Sequence, residues 1–196
     1  MNVHYKYLFQ VVVLILFLLF QGVTAAVTAN ANEQTPQASE TKDDASPGSP
    51  KATALFNQAL LLYGDGKYQE SLKKYSDAIK INPQYAEAYY NRGRVHDKMG
   101  NKRQAISDYD KAISINPTLG EAYYYRGNTY DDLGERRRAI ADFSKAIEID
   151  PSHADAYNNR GVEYSALGER RRAIADFSKA IEMRPTHADA YNNRGV

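Results

Sequence analysis

Asparagine recurs at one position of this chain with a spacing of 34 residues or a multiple of it. Asn57, Asn91, Asn159 and Asn193 share this position, and Tyr125 replaces the asparagine at the step between them. A side-chain amide carries two donors and one acceptor, so a row of asparagines can pair with the main chain of an extended peptide of any sequence. The alternative is that each asparagine is tolerated on an exposed helical face or bonds to its own helical turn.

The other reactive side chains form no catalytic or metal-binding pattern. The chain has no cysteine and four histidines. His153 and His187 stand one repeat apart, with no carboxylate or second histidine spaced to complete a metal site. No serine, lysine or carboxylate pair has both a base and a shaped pocket implied by its surroundings. We therefore expect a protein without catalysis, metal or cofactor.

Two arginine triplets, residues 136–138 and 170–172, also stand one repeat apart, at the predicted starts of helices. Positive charge at a helix start opposes the helix dipole, so one interpretation is a surface that binds an anionic partner. The other is a solvated face whose charge is neutralised by Glu135, Asp142 and Glu169. The whole chain has 25 basic and 24 acidic side chains, a net charge of +1, which argues against a general nucleic-acid binder.

The same spacing of 34 residues runs through most of the chain. Prolines recur at 83, 117, 151 and 185, and glycines at 66, 100, 134 and 168. A fixed period of this length predicts one supersecondary unit copied along a line. We place the units at residues 52–85, 86–119, 120–153 and 154–187, with residues 188–196 as the start of a fifth. The apolar spacing within each unit predicts two helices, the first ending at the glycine and the second before the proline.

Small residues are expected to bring the two helices of each unit together. In the second unit Gly93, Ala105 and Ala112 lack bulk, and Tyr109 is expected to fill the space beside them. The pattern of small, aromatic and proline positions resembles the tetratricopeptide repeat (TPR), and the resemblance covers residues 52–196. It implies an all-α fold, an α-solenoid of helical hairpins wound as a right-handed superhelix.

In TPR arrays the first helices of successive units line a concave groove, so the resemblance also implies a protein or peptide partner. Phe56, Leu60 and Tyr63 belong to this groove in the first unit. A clamp for the carboxyl terminus of heat-shock chaperones is not expected, because apolar, acidic and aromatic residues occupy all its positions except Asn91. The principal groove positions carried over by register are Asn57, Tyr90, Asn91, Arg94, Lys98, Tyr124, Tyr125, Asn128, Asn158 and Asn159.

The first 51 residues are unlike the repeats. Lys6 precedes an apolar run at residues 11–20, and small residues follow at 23–25, which predicts a signal peptide over residues 1–25 or an uncleaved anchor. Residues 26–51 are polar and contain three prolines, which predicts a disordered linker. The protein is therefore expected to be exported, either periplasmic or secreted, or held at a membrane through the first segment alone.

These observations favour a non-catalytic scaffold that binds a peptide segment in its groove. Two alternatives remain: the TPR arm of a larger enzyme, glycosyltransferase-like, that continues beyond Val196, and a membrane-tethered accessory of envelope assembly or secretion. An incomplete fifth unit also predicts self-association at the carboxyl-terminal end.

Overall fold

The computed structural model describes residues 49–195, which form nine α-helices and no strand. The predicted signal peptide and most of the predicted linker lie outside these residues. The first helix begins at Pro50, so Pro50 and Lys51 are helical and do not belong to the linker. The helices are α1 (Pro50–Gly64), α2 (Tyr68–Ile81), α3 (Ala86–Lys98), α4 (Lys102–Ile115), α5 (Gly120–Asp132), α6 (Arg136–Ile149), α7 (Ala154–Ala166), α8 (Arg170–Met183) and α9 (Ala188–Gly195).

Consecutive helices pack as hairpins, and the hairpins stack in chain order. The pairs α1–α2, α3–α4, α5–α6 and α7–α8 form the four units, and each second helix also packs against the first helix of the next unit. The first helices α1, α3, α5, α7 and α9 contact one another in turn. The predicted all-α solenoid is therefore confirmed. Within the described range, no helix combines the length and apolarity needed to cross a bilayer.

The turn inside each hairpin is fixed by its glycine. Gly66, Gly100, Gly134 and Gly168 have φ between +73° and +77°, in the left-handed region that favours glycine. The turn between units uses a side chain instead. Asn82, Asn116 and Asp150 are extended, and each accepts a hydrogen bond from the backbone N–H two residues later, across the proline.

The crossing of the two helices depends on glycine as expected. A Cβ atom added at Gly93 would lie 2.7 Å from Tyr109 Cε1, and one at Gly127 would lie 2.7 Å from Phe143 Cε1. Both aromatic rings are fully buried, as is Ala105, which lies on the same helix as Tyr109. The ring of the second helix thus rests directly on the backbone of the first, and a larger residue at either glycine would separate them.

An arginine–aspartate pair joins the two helices of each complete unit after the first. Arg126 donates to both carboxylate oxygens of Asp142 at 2.7 Å, and its remaining amino group bonds Asp110 in the preceding unit. Arg160 repeats this geometry with Asp176, and its third bond goes to Ser144 of the preceding unit. Because one guanidinium contacts two successive second helices, it fixes both the hairpin and the stacking of hairpins.

Candidate functional site

The row formed by α1, α3, α5, α7 and α9 is called here the first-helix face. Side chains from neighbouring units meet on it. The rings of Tyr90 and Tyr125 lie 5.7 Å apart between centroids, and Asn159 Nδ2 donates to Asn128 Oδ1 at 2.9 Å. Residues 31 to 35 positions apart in sequence are thus direct neighbours. Predicted groove residues of successive units therefore lie side by side on this face.

The Asn91 amide bonds within its own helix. Its side chain is buried, its Nδ2 donates to the Glu87 carbonyl at 2.8 Å, and its Oδ1 accepts from Arg94 Nη1 at 3.2 Å. The local bonding that the sequence left open as an alternative therefore applies at this position. The reason lies in the neighbouring helix: the residue corresponding to Asn128 is Leu60, which has no acceptor.

Asparagines of the last two first helices bond to one another instead. Asn193 Nδ2 donates to Asn158 Oδ1, and Asn158 Nδ2 donates to Asn159 Oδ1. Asn159 Nδ2 is shared between Asn128 Oδ1 and the Tyr124 hydroxyl, at 2.9 and 3.3 Å. This continuous polar chain spans three units, so it fixes the amide orientations before any partner arrives.

Arg94 lies at the centre of the aromatic part of the face. Its guanidinium carbon is 5.0 Å from the Tyr63 ring centroid, 5.6 Å from that of Tyr90 and 4.9 Å from that of Tyr125. These distances fall within the range of cation–π attraction. Tyr124 continues the cluster, since its ring contacts Tyr125 edge-on at 5.3 Å.

Two predicted groove residues are open to solvent. Asn57 on α1 and Lys98 at the end of α3 are both exposed. Neither makes a hydrogen bond or ion pair with another described residue. They differ in this from the predicted asparagines of α7, which hold one another.

The arginine triplets carry local ion pairs. Arg138 bonds Glu135 and Arg172 bonds Glu169, each at 2.7 Å and within one helical turn. Arg136 pairs with Glu163 in the next unit at 3.3 Å. The neutralised face is therefore the interpretation that the structure favours, except that Asp142 takes no part in it, because it binds Arg126 inside the hairpin.

One of the two histidines that stand one repeat apart does have a carboxylate neighbour, contrary to the expectation from spacing. His187 Nε2 lies 3.1 Å from Asp155 Oδ1, and Arg184 holds the same carboxylate with two bonds of 2.8 and 2.9 Å. Those hydrogen bonds lower the pKa of Asp155. No group of three or more possible ligands occurs among residues 49–195, and His153 Nδ1 accepts from the Ala156 N–H at 3.3 Å.

A buried carboxyl group was not foreseen from the sequence. Glu163 on α7 is 1% exposed, and its Oε1 has no hydrogen-bond partner in the described range. Burial, together with the neighbouring Asp131, raises the pKa of Glu163 to about 7, against the attraction of Arg136. The corresponding residues of the two preceding units are Thr129 and Val95, and both are buried. The sequence could have indicated the burial of Glu163, because it occupies the same position of the repeat.

The arginine–aspartate pairs were also missed, although the sequence contains their signal. Arginine recurs at 92, 126, 160 and 194, and aspartate follows 16 residues later at 108, 142 and 176. Such paired recurrence across a hairpin turn indicates contact between its two helices. All three aspartates are buried. Each one lies on a second helix and binds an arginine of the first helix in the same hairpin, so these pairs hold the first helices in place.

Comparisons with known proteins agree with this architecture. A family model described as "TPR repeat" matches residues 52–100, and one described as "Tetratricopeptide repeat" matches residues 86–119, 120–153 and 154–187. No curated protein matches the chain significantly.

Solved structures of the same fold are numerous. A crystal structure of MamA is 29% identical with a TM-score of 0.66, over 70% of this chain and 80% of that one. The first TPR of Spaghetti (RPAP3), bound to the HSP90 peptide SRMEEVD, is 25% identical with a TM-score of 0.60, over 62% and 96%. A tetratricopeptide repeat protein from Parabacteroides merdae, 22% identical with a TM-score of 0.66 over 73% and 57%, shares the fold. Since the family models together match well over half of its length, the chain belongs to the tetratricopeptide repeat family.

Proposed function

We propose that this protein is a non-catalytic scaffold whose first-helix face binds an extended peptide segment of a partner protein. The observation that carries the proposal is the assembly of Tyr90, Arg94, Tyr125 and Asn128 from successive first helices on one face. Half-buried aromatic rings beside polar groups whose orientation is already fixed are the usual anchors of peptide recognition. The similarity to a TPR domain bound to a peptide supports the same use.

We assign two different roles to the predicted groove residues. Asn57, Lys98 and the tyrosines would contact the peptide, whereas Asn91 would act by holding Arg94 through the 3.2 Å bond to its Oδ1. Asn159 would orient Asn128 in the same manner. In this proposal the peptide contacts an aromatic half and an amide half of the face. It does not pair with a uniform row of asparagines along its backbone.

The repeat itself supplies a variant that tests this proposal. Tyr125→Asn places at that position the residue that all other units have, so it removes a contact ring while retaining a side chain the fold accepts. We would use the full chain, purified in mild detergent, to capture proteins from the native envelope, beside Tyr125→Asn and the exposed control Arg103→Gln on α4. We expect a partner retained by the parent and the control and lost by Tyr125→Asn. Equal capture by all three proteins would contradict binding through the first-helix face.

We further propose that the protein acts outside the cytoplasm, after export through residues 1–25. The support is the order of Lys6, the apolar run and the small residues that follow it. The intact mass of the protein recovered from the envelope tests this, because cleavage would leave a chain beginning at Ala26. A mass that includes Met1 would favour the uncleaved anchor, and recovery from the cytoplasm alone would contradict export.

A further inference from the structure

Arg94 differs from every other half-buried arginine in the described part of the chain. Four arginines are half-buried there, and three of them, Arg92, Arg126 and Arg160, each form a bidentate ion pair with a buried aspartate. Arg94 forms no ion pair. Its only hydrogen bond among the described residues is the one from Nη1 to Asn91, and its Nε is buried without a partner.

The tyrosines around Arg94 compensate its charge only in part. A cation over an aromatic face is attracted by about 0.5–2 kcal/mol, and a ring supplies no acceptor for N–H groups in the guanidinium plane. A carboxylate accepts two such bonds at once in the planar geometry that arginine presents. The exposed carboxylates of the same face, Glu87 and Glu121, make no ion pair with Arg94. The guanidinium is therefore a positioned donor without an anionic acceptor among residues 49–195.

The residues that form this site are those that depart from the repeat. Each complete unit could supply the same positions, but the side chains at those positions differ elsewhere. Leu60, Asn128 and Val162 correspond to Arg94; Asn57, Asn91, Asn159 and Asn193 correspond to Tyr125; Asp97, Asp131 and Ser165 correspond to Tyr63.

These three departures come from three successive units and meet at Arg94, whose guanidinium carbon lies 5.0 Å from the ring centroid of Tyr63 and 4.9 Å from that of Tyr125. The other hairpins pack in the same order with different side chains at these positions, although Tyr63 also packs against the buried cluster of the first hairpin. Residues that break a repeat and converge at one point of its surface indicate a specialised contact.

We propose that Arg94, walled by Tyr63, Tyr90 and Tyr125, is a subsite for the carboxylate of an aspartate or glutamate side chain within an extended peptide. This inference rests on the proposed function and adds the chemistry that the peptide must carry. The guanidinium donates two hydrogen bonds to the carboxylate oxygens, and the tyrosine rings pack on the adjoining methylene groups. Charge complementarity with a half-buried, unpaired cation is what selects an acidic residue.

The acidic group belongs to the interior of the segment and not to its carboxyl terminus. The first-helix face continues on both sides of Arg94, toward Phe56 and Leu60 in one direction and Asn128 in the other. A terminal carboxylate also requires several converging donors, and here a single guanidinium is present. Side chains on both flanks of the acidic residue therefore contact the face, and Leu60, which is 38% exposed, favours an apolar one.

The test is selection of peptides from a phage-displayed library of random short sequences, using the full chain in mild detergent. We expect selected sequences to be enriched in one aspartate or glutamate flanked by apolar residues. A synthetic peptide from the selection is then measured against the parent, Arg94→Gln and Arg103→Gln, together with its Asp→Asn or Glu→Gln analogue. Loss of hydrogen bonds to a charged group is expected to weaken binding by about 10- to 100-fold for Arg94→Gln or for the neutral analogue.

The two losses must be coupled. The neutral analogue should bind Arg94→Gln about as well as the acidic peptide does, while Arg103→Gln, which removes an equal charge from α4, should retain full affinity. Melting monitored by circular dichroism checks that Arg94→Gln is folded; Arg94→Asn, which copies the residue of the next unit, is a second variant if it is not. Peptides that bind this face, as shown by loss with Tyr125→Asn, but without acidic enrichment or dependence on Arg94 overturn this inference alone. Failure to select any peptide overturns it together with the proposed function.

Discussion

Replacing Glu163 by glutamine should stabilise the protein above neutral pH. Glu163 is buried, its Oε2 accepts from Arg136 Nη1 at a long 3.3 Å, and its Oε1 has no hydrogen-bond partner in the described range. Ionised, it is an incompletely paired charge beside Asp131. Glutamine keeps the shape of the side chain but carries no charge to be buried or to repel that aspartate.

The magnitude follows from the pKa. The ordinary pKa of 4.5 is raised to about 7 in the folded protein, first by burial and then by Asp131. Between these values the folded state binds more protons than the unfolded state, so the free energy of unfolding falls as the pH rises. A difference of about 2.5 units at 1.36 kcal/mol per unit sets an upper limit of about 3 kcal/mol. Because glutamine also gives up the attraction of Arg136, we expect a net gain of about 1–3 kcal/mol near pH 8.

Urea unfolding of the parent and Glu163→Gln at several pH values between about 5 and 8 measures this difference. We expect near-equal stability at the acid end and a growing advantage of the variant as the pH rises through about 7. Glu70→Gln, at an exposed position of α2, controls for the general effect of removing a negative charge. A variant that is less stable than the parent near pH 8 would show that the Arg136 ion pair outweighs burial, and would refute the reasoning.

Three further substitutions test the packing between and within hairpins. Gly127→Ala places a Cβ atom 2.7 Å from Phe143 Cε1, and we expect the free energy of unfolding to fall by about 1–3 kcal/mol. Asp142→Ala leaves Arg126 without its bidentate partner, and we expect a loss of about 2–4 kcal/mol, since the arginine is only partly screened by solvent. Ala146→Leu overfills a fully buried position of the same crossing, at a cost of about 1–3 kcal/mol. Urea denaturation at neutral pH measures each change.

Matched variants separate these effects from general perturbation. Gly64→Ala adds the same methyl group where nothing lies within 4 Å, so its stability should stay close to that of the parent. Asp110→Ala removes the exposed partner of Arg126 and should cost less than Asp142→Ala. Unchanged unfolding curves for Gly127→Ala or Ala146→Leu would contradict the close approach of helices, and equal losses for the two aspartates would contradict the greater importance of the buried pair.

The fold was predictable because its determinants are local and repeated. A glycine with positive φ and a proline after an extended residue act over a few bonds, small residues at the crossing act between the two helices of one hairpin, and each recurs in every unit. Gly93 and Tyr109 were assigned to the crossing from spacing alone and contact each other as expected. The candidate site was predictable only as a row of positions, since the repeat fixes which residues face the same side.

The chemistry of that row depends on partners the sequence does not identify. Asn91 and Asn159 occupy equivalent positions, yet the first bonds to its own helix and the second to the preceding unit. The difference lies in the residue found 31 positions earlier, Leu60 in one case and Asn128 in the other. Arg94 is a second example, because only the structure shows that no described carboxylate pairs with its guanidinium.

The sequence by itself determined the number, length and order of the hairpins, because backbone conformation and hydrophobic period are properties of neighbouring residues. Only the tertiary structure decided which polar groups find partners. Arg126 pairs with Asp142, and the α7 asparagines bond to one another. Glu163 has one oxygen without a hydrogen-bond partner, and Arg94 is surrounded by aromatic rings that supply no acceptor. Hydrogen bonds and ion pairs depend on distances of a few tenths of an ångström between helices, and the packing of many side chains sets those distances. The repeat thus defines the scaffold, and the positions that depart from it define what the scaffold can bind.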